Sequence, residues 1–122
     1  MTLYAALLYT PDVDWSAPEQ AERLAERLAE YRAFTGEADD KQISQGLALA
    51  PTSTATVVRV LGARGGEIVV SDGPYAETKE VLTGFYILDC ADLDEAITLA
   101  AQIPAAWHGA VEVRPVLQLG RA

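Results

Sequence analysis

Asp72, Tyr75, Glu77 and Lys79 fall close together in the run Asp72-Gly73-Pro74-Tyr75-Ala76-Glu77-Thr78-Lys79-Glu80. If the chain is extended after Pro74, side-chain alternation puts Tyr75, Glu77 and Lys79 on one side. Asp72 could join them across the turn. A phenol, carboxylates and an amine gathered in this way can bind a small polar ligand. They can also serve as acid and base, provided that burial and neighbouring charge bring their pKa values toward neutrality. The same residues have a purely structural use: an Asx-type turn at Asp72, an aromatic anchor at Tyr75, and a surface Glu77–Lys79 ion pair worth at most ~1 kcal/mol. Spacing alone favours that use. Gly73 and Pro74 make the turn itself strongly specified, because glycine adopts angles closed to other residues and proline fixes its own φ.

Two further residues are candidates for a site. His108 follows Trp107 in the connection after the second predicted helix, where an imidazole could reach a cavity mouth. Arg114 alternates with Val113 and Pro115 in the last predicted strand, and a guanidinium on a covered sheet face needs a carboxylate such as Glu112 or Asp89, or an anionic ligand. The single cysteine, Cys90, excludes an internal disulfide and suits a reduced, half-buried packing role. One cysteine and one histidine do not make a structural zinc site, and no cofactor is expected. Trp15 and Trp107 flank helix ends and read as packing residues. Gly62, Gly65 and Gly66 form a turn and do not cradle a phosphate, because no helix follows them.

Composition narrows the class. The 122 residues suit one domain, 1–122, with half of them hydrophobic and 22% charged. Eighteen acidic residues against nine Lys and Arg give a net charge of −9, a field that repels nucleic-acid backbones. No apolar run approaches the ~20 residues needed to cross a bilayer. The first residues lack the basic region of a secretory signal, so a cytoplasmic location is expected.

These residues must be positioned by a small set of elements. Leu3 to Tyr9 predicts a strand. Ser16 and Glu19 have capping-box spacing, so a helix is expected from about Ala17, with Ala21, Leu24, Ala25, Leu28 and Tyr31 on its buried stripe. Gly36 and the acids from Glu37 to Asp40 should end it. Ile43 to Ala50 predicts a strand, bulged at Gly46 and stopped by Pro51. Thr54–Leu61 and Glu67–Ser71 predict a hairpin whose tip, Gly62 to Gly66, carries Arg64. Gly84–Cys90 predicts another strand. Asp92 and Glu95 begin a second helix with the stripe Leu93, Ala96, Ile97, Ala100 and Ile103. Pro104 stops it, and Val111 to Leu119 predicts the last strand.

That order fits an α+β, ferredoxin-like split βαβ sandwich with an inserted hairpin. Helices cover one sheet face, yet the strands are apolar on both: Leu3, Ala5 and Leu7 oppose Tyr4, Ala6 and Leu8, and Phe85 and Ile87 oppose Tyr86 and Leu88. At ~25 cal/mol per Å2 of apolar area, an uncovered face of several hundred Å2 favours association by several kcal/mol before ordering costs. A homodimer paired sheet to sheet is expected.

The chain also resembles a known family. Leu7-Leu8-Tyr9, Ala55-Thr56-Val57-Val58-Arg59, Ser71 through Glu80, Gly84-Phe85-Tyr86 and Val111-Glu112-Val113-Arg114-Pro115 together resemble the DGPF domain, a branch of the YCII-related proteins, with Tyr75 in place of that motif's Phe. The resemblance implies a dimeric α+β barrel enclosing a cavity. It also implies a transcription-linked partner, an extracytoplasmic-function sigma factor. In the wider group a His and Asp pair is proposed as catalytic. Here no histidine precedes His108, a departure from that pattern. The residues leave two readings open. One is a module binding a small polar or anionic ligand through Asp72, Tyr75, Glu77, Lys79, Arg114 and His108. The other is an isomerase-like or lyase-like enzyme with Asp72 or Glu77 as acid–base and Lys79, Tyr75 or Arg114 stabilising negative charge.

Overall fold

The computed structural model describes residues 2–38 and 42–119. Its elements run in the order β1 (Thr2–Pro11), α1 (Ala21–Glu37), β2 (Ile43–Ala48), β3 (Thr56–Leu61), β4 (Glu67–Asp72), β5 (Glu80–Cys90), α2 (Leu93–Ala100), α3 (Pro104–His108) and β6 (Ala110–Pro115). Four strands form a sheet in the order β2-β5-β1-β6, with every neighbouring pair antiparallel. This order is consistent with the expected ferredoxin-like α+β arrangement. β3 and β4 form a separate two-stranded sheet, the predicted hairpin. No helix among the described residues is long and apolar enough to cross a membrane.

Alternation along β1 sorts its side chains. Tyr4, Ala6, Leu8 and Thr10 are buried, while Leu3, Ala5, Leu7 and Tyr9 on the opposite face are half-buried. Of the buried set, Tyr4, Ala6 and Leu8 join Leu88 and Cys90 of β5, Phe34 and Ala38 at the end of α1, Ala96, Leu99 and Ala100 of α2, and Ile103 and Ala105 in one core. Cys90 is therefore fully buried rather than half-buried. The other face, hereafter the open face, carries Leu82, Phe85 and Ile87 beside Tyr9, Leu7 and Ala5, with Leu47 next to Phe85 and Arg114 next to Ala5. Leu47 and Leu82 are exposed there. Both faces are apolar, as the sequence indicates, and the helices lie over one of them.

Several local expectations need correction. Ser16 does not cap a helix: Ala17 takes the N-cap position with no side-chain cap, and the Ser16 N–H and hydroxyl donate back to Asp14 Oδ1 at 3.0 and 2.5 Å. A 3-10 turn at Pro18–Gln20 follows, and α1 begins at Ala21 rather than Ala17. The inward stripe of α1 is Leu24, Arg27, Tyr31, Phe34 and Ala38, leaving Ala21, Ala25 and Leu28 exposed. The helix runs through Gly36 to Glu37, and the Ala38 N–H closes it on Phe34 O at 3.0 Å. Asp39 and Asp40 lie outside the described residues.

The irregularity in β2 falls between Ile43 and Gln45 and not at Gly46. Gly46 is needed for close approach: a Cβ there would lie 2.5 Å from the Tyr86 ring. Its absence lets that ring lie against β2 and meet Phe34 edge-on, with centroids 5.3 Å apart.

The second helix starts as predicted. Asp92 accepts the Glu95 N–H at 2.9 Å, and Glu95 Oε1 accepts the Ala91 N–H at 3.1 Å, a reciprocal cap. Its buried side is Ala96, Leu99 and Ala100, with Leu93 and Ile97 turned outward. Pro104 does more than stop α2. It occupies the first turn of α3, where its missing N–H costs no hydrogen bond. β6 ends at Pro115, short of the expected Leu119, and one further bond runs from the Val116 N–H to Leu3 O at 2.8 Å.

Candidate functional site

The signature turn closes the hairpin. Asp72 pairs with Thr56 at the end of β4, and Gly73, at φ 97°, donates its N–H to Ala55 O at 2.8 Å. That positive φ suits glycine and would strain any other residue. From Gly73 to Lys79 the backbone is a series of bends with no strand pairing. The condition for placing Tyr75, Glu77 and Lys79 on one side, an extended chain, is therefore not met. Asp72, Glu77 and Lys79 are all exposed, and no ion pair joins Glu77 to Lys79.

What the turn does build is a hollow of about 630 Å3. Pro74, Tyr75, Ala76 and Thr78 wall one side, the loop from Leu49 to Ala55 another, and Tyr9, Val81 and Leu82 the sheet side. Tyr9 and Leu82 are register partners on the open face, so the hollow opens onto that face. Its volume is that of a small-molecule site. The Thr54 hydroxyl donates to Pro51 O at 2.6 Å and the Thr78 hydroxyl to Glu80 O at 2.5 Å, which leaves the lone pairs of both oxygens as acceptors. At the rim the Arg59 guanidinium lies over the Tyr75 ring, 5.3 Å from its centroid. Arg59 makes no ion pair among the described residues. Its charge is thus available to an anion, while the ring contact fixes its position.

The remaining candidates are dispersed. Arg114 lies on the open face with its Nε 3.7 Å from Glu112 Oε2, one of the two carboxylates expected for it. His108 ends α3, where its Nε2 is 3.0 Å from Glu30 Oε1, so it ties α3 to α1 on the helix-covered side. Tyr75 lines the hollow; Asp72, Glu77, Lys79, His108 and Arg114 do not. No group of three or more His, Cys, Asp or Glu among the described residues is placed to hold a metal. Sequence reasoning missed Arg59 and Tyr9. Tyr9 could have been found from its place on the second face of β1, but the Arg59–Tyr75 contact joins distant residues and leaves no periodic signal.

Chemically, the hollow offers aromatic walls, hydroxyl oxygens left as acceptors and the Glu80 carboxylate, with the Arg59 guanidinium held against Tyr75 just beyond the lining residues. These recognise a small polar molecule, and an anion through Arg59 alone. Acid–base catalysis needs a donor and an acceptor aimed at the same reacting atom, and the exposed carboxylates of Asp72 and Glu77 stand outside the hollow.

Residues 3–119 match the family described as the YCII-related domain. The chain is also 40% identical over 118 residues to an uncharacterised protein of Rhizobium meliloti (strain 1021), an alignment covering 93% of this chain and 91% of that protein.

Proposed function

This chain belongs to the YCII-related family, and on that premise we propose that it binds a small polar or anionic molecule in the signature-turn hollow, with a second copy of the chain covering the open sheet face. The observation that carries this reading is the hollow itself, walled by Pro74, Tyr75, Ala76 and Thr78 and bordered by Tyr9 and Leu82 of the open face. The exposed Leu47 and Leu82 supply apolar area for a sheet-to-sheet homodimer. Tyr75 and Arg59 contribute an aromatic surface and a positive charge at the rim. The catalytic alternative, with Asp72 or Glu77 as acid–base, lacks a comparable observation, because none of Asp72, Glu77, Lys79 and Arg114 lines the hollow.

Native mass spectrometry of the purified protein tests both halves together. The expected result is a dimer carrying a small anionic species that is lost on Tyr75→Ala or Arg59→Ala substitution but retained by Glu77→Gln. A monomer, or a bound species that survives both rim substitutions, would overturn the reading. Retention of a purified extracytoplasmic-function sigma factor, with no small molecule bound, would support the accessory role implied by the family resemblance instead.

A further inference from the structure

On the opposite side of the sheet, α1 touches the strands mainly through its last turns, where Phe34 packs on Tyr86. Toward its N-terminus the helix stands away from them. Between helix and sheet lies a second cleft, about 620 Å3, bounded by Trp15, Leu24, Arg27, Leu28, Tyr31 and Tyr86 among others. Leu24, on the inward stripe, and Leu28 at its edge both line this space, and Leu28 is still 44% exposed.

The polar groups in the cleft include threonine and tyrosine hydroxyls, two carboxylates and one guanidinium. The Thr10 hydroxyl donates to Thr83 Oγ1 at 3.1 Å, so this pair is satisfied. Arg27 is not. Its side chain is only 18% exposed, its Nε lies 3.3 Å from Glu30 Oε1, and its guanidinium stands 5.2 Å from the centroid of the Trp15 ring. The terminal nitrogens have no protein partner among the described residues. Glu30 Oε1 is shared with His108, which divides the one negative charge near Arg27 between two donors. A guanidinium so far withdrawn from water is completed by an anion that its two ends can grip together.

Two acids also border the cleft and limit what fits. Asp12 accepts the Thr52 hydroxyl, and Asp14 accepts both donors of Ser16, which lower its pKa and hold it ionised. Both repel any anion, and a ligand with more than one negative charge most strongly. Aromatic and aliphatic walls, one under-used guanidinium and a rim of fixed negative charge therefore select a flat ring bearing a single acid group.

We propose that the cleft between α1 and the sheet is a second binding site, adjoining the signature-turn hollow across the shared wall of Leu49 to Thr52, Val81 and Leu82, and that it takes an aromatic monocarboxylate with its ring against Trp15, Leu24 and Leu28 and its carboxylate on Arg27. The site needs no dimer, and none of the four residues named for the ligand lines the hollow.

Calorimetric titration of the full chain with 2-naphthoate, and with its neutral counterpart 2-naphthamide, tests this. The naphthoate should bind at least tenfold more tightly, and Arg27→Gln should abolish that preference. Leu28→Trp, which fills the space, should weaken both ligands at least tenfold, and Tyr75→Ala should change neither. The indole N–H resonance of Trp15, assigned with the help of Trp107→Phe, should shift on naphthoate addition while that of Trp107 stays still. Should Arg27→Gln unfold the chain, the Leu28→Trp titration and the Trp15 resonance decide the matter. No binding at millimolar naphthoate, an unchanged preference in a folded Arg27→Gln protein, or an unmoved Trp15 signal would overturn the proposal. Loss of binding on Tyr75→Ala would place the ligand in the other hollow and overturn it equally.

Discussion

β5 and the β3–β4 hairpin are built from the same kind of residue and meet opposite fates. β5 lies between β1 and β2 with helices over one face, and Leu88 and Cys90 have no exposed surface. The hairpin pairs Val58 with Val70 and Val60 with Ile68, which puts these four side chains on one face. All four are exposed, Val58 by 61% and Ile68 by 68%. Among the described helices and strands, these two make substantial contacts only with each other, although an isolated hairpin is marginally stable in water. Local sequence is therefore enough to specify a strand, while burial depends on a layer arriving from elsewhere in the chain or from another molecule.

Core truncation gives the largest test of this contrast. Leu88→Ala should cost about 2–5 kcal/mol in urea unfolding, because it removes a fully buried side chain and leaves a cavity. An effect below about 1 kcal/mol would mean that β5 is no better supported than the hairpin. Alkaline pH probes the α1 layer. Burial beside Tyr86 pushes the Tyr31 hydroxyl up to about 12 from an ordinary 10. The unfolded chain then ionises first as pH rises, so stability from this group is complete below pH 10 and lost between about 10 and 12. Tyr31→Phe should remove that part of the decline, as followed by denaturant midpoints across the interval.

The α2 layer is held by its cap, and Asp92→Ala should cost about 0.5–2 kcal/mol in the same unfolding assay. Ile68→Lys on the hairpin should change subunit stability least, by within about 0.5 kcal/mol, as expected for an exposed position. Sedimentation of Ile68→Lys sharpens the comparison: a shift from dimer to monomer would show that a second copy supplies the hairpin's missing layer, and an unchanged dimer would restrict the interface to the four-stranded sheet.

Much of the architecture was legible because alternation and turn chemistry are local. The hairpin, its glycine-rich tip, the strand around Leu88 and the Asp92–Glu95 cap lie where the sequence put them. Faces of helices were harder. In α1 the pattern Ala21, Ala25, Leu28 competes with Leu24, Tyr31, Phe34, and tertiary contact with Tyr86 selects the second. In α2 the small Ala96 and Ala100 approach the sheet with Leu99, which turns the larger Ile97 outward. Ser16 misled because a 3-10 turn precedes the helix and puts Ala17, not Ser16, at the cap position. At the candidate site the two-residue spacing of Tyr75, Glu77 and Lys79 presumed a strand where the backbone bends, and the partner of Tyr75 is Arg59, from a different strand.

The seclusion of Cys90 gives the chain a clock of its own. Its sulfhydryl has no exposed surface, and burial, reinforced by Glu95, Asp89 and Asp92, disfavours the reactive thiolate. A colourless disulfide reagent can reach that sulfur only in molecules whose β5 end has parted from α2. The rate at which colour develops then reports how often the native protein breathes open, with no label introduced and no residue changed.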